Sequence, residues 1–320
     1  MQTPSLTIPA TPHIALPPDL DRGFPWDLGM ALDCGLDDHA LRAHLAAGTA
    51  RRLLRGVYVA ASAPDTLSLR LAGLALVVDE AQVVTDGTAA WVHAGDSVLA
   101  PGEHLALQPP NVFDARRGHR MRRPGVRSGQ RDLLETDVVE MGGVRVTTPV
   151  RTATDVARLQ HGQRALASLD GLLRETDLTK EEIAADLPRF RGFRGIVQAR
   201  QVVPWADGRS DSYGESASRY GWLTTPGLPP PQLQVPVEVA GHVFYLDLAD
   251  EALTIGVEYD GERWHGPDRA VHDDWRRSLI AEIGWLLIVL RKHNVFGRHR
   301  DLDQILVRAF AERREALRQK

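Results

Sequence analysis

FYLDLADEALTIGVEYDG, residues 244–261, decides the fold of the carboxyl-terminal third of the chain. From Thr254 to Asp260 apolar and polar residues alternate with period two, the mark of a half-buried strand. Ile255, Val257 and Tyr259 then point one way, and Glu258 and Asp260 the other. Asp247 closes the strand before it, and the polar ADEAL connection places a turn near Ala252-Leu253. An antiparallel pairing through that turn sets Asp247 beside Glu258. Adjacent carboxylates repel and raise each other's pKa unless a cation intervenes. Mg²⁺ suits them, with Mn²⁺ as its substitute, because hard cations take oxygen ligands and keep waters for phosphate chemistry. Glu215, early on the preceding helix, is placed to close such a site from above. His265, just past the strand, is placed to act as general acid or to contact a scissile phosphate. The plain alternative is a solvated strand face ending in the Asp260-Gly261 turn.

The segments around this stretch alternate helix and strand. A helix over Glu215–Thr224 precedes strands near Gln234–Val239, Val243–Asp247 and Thr254–Asp260. A helix near Val271–Ile283, a strand Trp285–Arg291 and an amphipathic helix from Leu302 follow. On the long helix, Asp273, Asp274, Arg276 and Arg277 have the spacing of ion pairs within one helix. Upstream, the Gly-, Asp- and Ser-rich loop in WADGRSDSYGES is the best domain boundary of the chain.

At the other end, FPWDLGMALDCGLDDHALRAHLAAGTARRLLRGVYVA follows a Pro- and Thr-rich arm. Pro25 suits the first turn of a helix reaching Cys34, with Gly35 as its cap. Asp37 caps a second helix, Asp38 to Ala47, with Leu41 and Leu45 on its buried stripe. Strands Arg51–Leu54 and Val57–Ala60 flank Arg55-Gly56. Helix, turn, helix and hairpin is the order of a winged helix-turn-helix. Because the second helix begins with acids, Arg42, Arg51, Arg52 and Arg55 must carry any contact with DNA. Between residues 63 and 200 the pattern is mixed α/β, with Thr147 or Thr148 capping a helix. Asp155 and His161 there read as helix-capping and surface residues.

The stretch Arg116 to Arg131 holds seven arginines and no acid. Such a run attracts phosphate through counter-ion release without reading sequence. Arg116, Arg117, Arg122 and Arg123 are its candidates for DNA contact; a solvated hairpin turning at Pro124-Gly125 is the alternative. The chain as a whole carries a net charge of −4, so affinity for nucleic acid must be local. Lysine occurs only at positions 180, 292 and 320. The single cysteine, Cys34, excludes an internal disulfide framework and a multi-cysteine zinc site. No apolar run reaches the length of a membrane span and the first residues lack a signal-peptide pattern, which leads us to expect a cytoplasmic protein without membrane contact. GxSxG elbows, P-loops and dinucleotide fingerprints are absent.

Two families resemble parts of this sequence. The run SYGES, GLPPPQLQVPV, YLDLAD, VEYDG, WH, DDWRR and GWLLIVLR, residues 207–291, resembles Vsr-related endonuclease-like domains of the PD-(D/E)XK superfamily. The resemblance implies a restriction-endonuclease-like αβ core, Asp247 and Glu258 as metal ligands, and Glu215 as the helix acid. Asp260 then stands at the usual lysine position, and His265 is the natural substitute for that lysine. Residues 24–159, through GLDDHALRAHLAAGTARRLLRGVYV, TDGTAAWVHAG and GGVRVTTPVRTATDVARL, resemble AbiEi-type antitoxins of type IV toxin–antitoxin systems. That resemblance implies operator binding by the winged helix and antitoxin function in the following domain. It also implies a nucleotidyltransferase-like toxin, or a neighbouring defence or repair protein, as partner.

The expected layout is a multidomain α/β chain: an arm over 1–18, a winged helix over 19–62, a mixed α/β middle domain over 63–200 and a PD-(D/E)XK-type core over 207–320. Two functions follow from it. One is a Mg²⁺-dependent DNA endonuclease or nickase, with Glu215, Asp247, Glu258, Asp260 and His265 catalytic and the arginines delivering DNA. The alternative is an AbiEi-like antitoxin and transcriptional autorepressor whose nuclease fold cleaves nothing. The missing lysine favours it, while the presence of all three acids and the histidine favours the enzyme, which is the expected function.

Overall fold

The computed structural model describes residues 15–105, 108–114, 126–129, 131–261 and 267–319, the side chains of residues 105 and 267–271 excepted. Two compact units emerge, the first from residues 1–85 with 105–146 and the second from 86–104 with 147–320.

The first unit opens with the winged helix. Strand β1 (Trp26–Asp27), helices α1 (Leu28–Asp33) and α2 (Asp38–Ala47), and strands β2 (Ala50–Leu54) and β3 (Val57–Ala60) form it, with sheet order β1-β3-β2. The first helix starts later than Pro25 suggests because Trp26 pairs with Tyr58 and stacks on its ring at 5.3 Å. Asp27 caps α1 and Asp37 caps α2, each accepting a backbone N–H in the first turn. Leu16 and Leu20 pack with Trp26, Ala31, Leu36 and Leu41, so packing begins inside the expected arm. Helix α3 (Leu67–Ala75) and strands β4 (Gln82–Val84), β5 (Val112–Asp114), β6 (Val138–Met141) and β7 (Val144–Thr147) complete the unit. Their sheet has order β5-β4-β7-β6, with β4 and β7 parallel.

The second unit begins with a helical group: α4 (Asp86–Ala94), α5 (Pro149–Leu159), α6 (Gly162–Glu175), α7 (Lys180–Asp186) and α8 (Ile196–Val202). Thr148 caps α5, accepting the Arg151 N–H at 3.3 Å. Asp155 is not a surface residue. It is fully buried, and Arg151 and Arg158 donate to its two oxygens at 2.8 and 3.0 Å. Both guanidiniums lie over the Phe190 ring, whose π face offsets their lost hydration. The spacings i,i+4 and i,i+3 put all three on one helix face.

A mixed sheet packed by helices follows: α9 (Tyr213–Thr224), β8 (Gln232–Val239), β9 (His242–Asp250), β10 (Ile255–Asp260), α10 (Pro267–Glu282), β11 (Leu286–Arg291), α11 (Lys292–Val295) and α12 (Leu302–Arg318). Strand order is β11-β10-β9-β8, with β10 parallel to β11 and antiparallel to β9. One face packs Leu248, Ile255, Val257 and Leu290 against Ala217, Trp222, Leu306 and Phe310 of α9 and α12. The other packs Val235, Val237, Leu246 and Ala249 against Ile280 of α10. The loop before α9, where the sequence places a domain boundary, does not separate this sheet from the helical group. Asp170 of α6 accepts the Asp207 N–H at 2.8 Å and pairs with Arg219 of α9, all within one unit.

Candidate functional site

The acidic stretch folds as a hairpin, and β9 runs on to Asp250 because Leu248 and Ala249 are buried. Asp250 accepts the Leu253 N–H at 2.8 Å, which closes the turn where it is expected. Register pairs Val257 with Leu248, so the next step sets Glu258 beside Asp247. Gly256 fits beneath this face because a Cβ there would meet Leu246 at 2.7 Å.

Asp247 stands at a change of face. Leu246 packs toward α10 while Leu248, two residues on, packs toward α9. Across the ladder the pairing skips Gln234 and Asp247 between Leu233↔Leu248 and Val235↔Leu246 without a change of register, and Gln234 has φ +50°. A regular strand would put Leu246 and Leu248 on one face. The local irregularity frees the Asp247 carboxylate to accept the Tyr259 N–H at 2.8 Å. It also brings Glu215 close, whose Oε2 accepts from the Asp211 N–H at 2.8 Å and from Gln234 at 3.4 Å.

These acids act on each other. Burial first, then the charges of Glu215 and Glu258, push Asp247 up to about 8, against the pull of the Tyr259 N–H and Arg276. Glu215 is also raised, chiefly by burial. The structure thus gathers Glu215, Asp247 and Glu258. Asp260, two residues along β10, is half-buried and faces Arg291 at 4.0 Å. His265 lies outside the described residues. Lys292 is exposed at the start of α11.

The residue that sequence reasoning misplaced is Arg276. Arg277 does pair with Asp274 along α10, at 3.6 Å. Arg276 instead crosses to the sheet, where its guanidinium donates to the Glu258 carboxylate and, at 3.0 Å, to the Tyr245 carbonyl. It also lies over the Phe244 ring, 5.4 Å from the centroid. The DDWRR segment carried the cation in plain view, but only the crossing of α10 over β9 and β10 shows its partner. As placed, the carboxylates do not fit a Mg²⁺ shell, which needs oxygen ligands in near-octahedral order. Glu258 holds a guanidinium, Asp247 a backbone N–H and Glu215 another. Among the described residues no three His, Cys, Asp or Glu side chains are grouped to hold a metal ion.

In the winged helix the four candidate arginines differ. Arg42 is exposed and paired with Asp38 on its own helix. Arg51 donates to the Ala63 carbonyl at 3.0 Å and so ties the wing to the following segment. Arg52 is exposed above the Tyr58 ring, and Arg55 is exposed at the wing turn, where Gly56 takes φ +81°. His44, unremarked in the sequence, is buried on α2 with its Nδ1 2.8 Å from the Thr49 hydroxyl. Arg116, Arg117, Arg122 and Arg123 lie outside the described residues. Among the described residues no helix is long and apolar enough to cross a membrane.

Residues 81–205 match the AbiEi antitoxin C-terminal domain. Two relatives are uncharacterized proteins of Mycobacterium tuberculosis, one from strain CDC 1551 / Oshkosh and one from strain H37Rv. Each is 35% identical over 239 residues, covering 74% of this chain and 83% of the relative. The chain belongs to the family of these mycobacterial proteins, and over residues 81–205 it carries a domain of the AbiEi antitoxin type.

Proposed function

We propose that this protein is a DNA-binding antitoxin and transcriptional autorepressor of the AbiEi kind, with a nuclease-like carboxyl-terminal core that holds its fold without cutting DNA. The observation that carries this reading is the succession of a winged helix at Trp26–Ala60 and an AbiEi-type domain at 81–205. A winged helix exposing Arg52 and Arg55 at its wing is suited to a phosphate-lined groove. The partner implied is a nucleotidyltransferase-like toxin. A mobility-shift titration with DNA from upstream of its own gene tests the reading. Saturable binding that weakens in the Arg52→Ala/Arg55→Ala protein is expected; binding unchanged by that double substitution removes the winged helix from the account.

A second reading, a Mg²⁺- or Mn²⁺-dependent endonuclease of the PD-(D/E)XK type, is favoured by the order of elements. Helix α9, strands β8, β9 and β10, helix α10 and strand β11, with the acids at the β9–β10 junction, is the succession such a core requires. In that reading Asp247 and Glu258 hold the metal, with Glu215, Asp260 and His265 around it. It requires Arg276 to leave Glu258.

A further inference from the structure

We propose that Arg276 is the resident cation of the acidic pocket, filling with its guanidinium the place a divalent ion would take between Glu258 and Asp247 and so keeping such ions out. The proposal deepens the reading of a non-cutting core and rests on that part of it alone.

Three contacts fix this side chain. It donates to the Glu258 carboxylate, donates to the Tyr245 carbonyl at 3.0 Å, and covers the Phe244 ring. Trp275, the neighbouring residue on α10, meets the Phe244 ring edge-on at 6.1 Å and holds the helix against β9. Only 20% of the Arg276 side chain and 13% of the Glu258 side chain is exposed, so water screens the pair weakly. A guanidinium keeps its charge at every physiological pH, and here one terminal nitrogen, Nη2, donates to both the carboxylate and the carbonyl. Its field also reaches Asp247, the second acid of the pocket.

A divalent cation entering here meets a fixed positive charge and a carboxylate already engaged. Mg²⁺ sheds its waters reluctantly and depends on full carboxylate charge for its hold. Displacing Arg276 would also break its hydrogen bond to the Tyr245 carbonyl and its contact with the Phe244 ring. The Glu258 charge is therefore offset by a residue of the chain itself, and its place is held without a metal.

Titration of the full chain with Mn²⁺, following the free ion by its paramagnetic signal and without DNA, tests this. The wild-type protein should show no saturable site at millimolar Mn²⁺. Arg276→Gln should gain one, tighter by about ten-fold or more, an increment of roughly 1.4 kcal/mol. Adding Glu258→Gln to that variant should abolish it. Saturable wild-type binding that Glu258→Gln removes would overturn the proposal, and this arm needs no variant of Arg276 to fold. A folded Arg276→Gln protein that binds no better than wild type would overturn it as well. Because no DNA is present, neither result bears on the winged helix.

Discussion

Asp170 of α6 and Arg219 of α9 form a buried ion pair that joins the helical group to the mixed sheet's first helix. Asp170 is fully buried, and Arg219 also donates to the Trp205 carbonyl. Removing one partner leaves the other charged and unpaired, which typically costs about 3–5 kcal/mol. Asp170→Ala and Arg219→Ala should each lose stability on that scale in urea unfolding, while Asp170→Leu/Arg219→Met together should recover most of it. Equal, additive losses in the double substitution would show that the pair does not couple the two segments.

Asp247 gives the stability a definite dependence on pH. Its folded value of about 8 lies well above the unfolded value of about 3.9. The folded state therefore holds a proton that the unfolded chain releases. The contribution is complete below pH 4 or so, and is lost as pH rises through the folded value. Asp247→Asn, whose amide oxygen still accepts the Tyr259 N–H, should flatten the decline between those limits. At pH 8 and above it should be more stable than wild type by a few kcal/mol, as differential scanning calorimetry across pH would show. Identical pH profiles for the two proteins would contradict the assignment.

The buried Arg151–Asp155–Arg158 group makes α5 sensitive at two points. Asp155→Ala leaves two guanidiniums without their shared acid and should cost about 3–5 kcal/mol in chemical denaturation. Gly195 passes so close to this helix that a Cβ would lie 1.8 Å from the Arg158 carbonyl oxygen, and its φ is +80°. Strain at such a φ costs on the order of 1–3 kcal/mol before any clash, so Gly195→Ala should also destabilise markedly. An Asp155→Ala protein of wild-type stability would mean that the group is solvated in solution.

Salt dependence separates the arginines. Arg52→Ala/Arg55→Ala should reduce the slope of log K against log salt by about 0.9 for each lost phosphate contact. Arg51→Ala should act on stability instead, because Arg51 braces the Ala63 carbonyl. Neutralising Arg116, Arg117, Arg122 and Arg123 together should flatten the slope further; an unchanged slope would remove that run from the interface.

Much of this fold was legible because the signals were local. Asp37 and Thr148 mark helix starts through their own side chains. The alternation through Ile255, Val257 and Glu258 sets β10's two faces. What escaped depended on contacts distant in sequence. Trp26 reads as helix until Tyr58 is known to lie beside it. The loop before α9 reads as a linker until Asp207 is seen on Asp170, 37 residues away. Asp155 reads as surface because nothing nearby announces that Phe190 covers its arginines. Alternation pointed to Glu258 and the turn after β9 to Asp247, but nothing local pointed to the cation, since Arg276 and Glu258 are 18 residues apart on different elements.

The central claim is that this protein binds DNA without cutting it. The most direct measurement incubates the pure protein with labelled duplex from upstream of its own gene in Mg²⁺ or Mn²⁺, reading complex and strand length from the same samples. Salt-sensitive complex formation with every strand intact, before and after Arg276→Gln, is the outcome the account predicts. Metal-dependent nicking by the wild-type protein, abolished by Asp247→Asn or Glu258→Gln while the complex persists, would contradict it and establish the endonuclease.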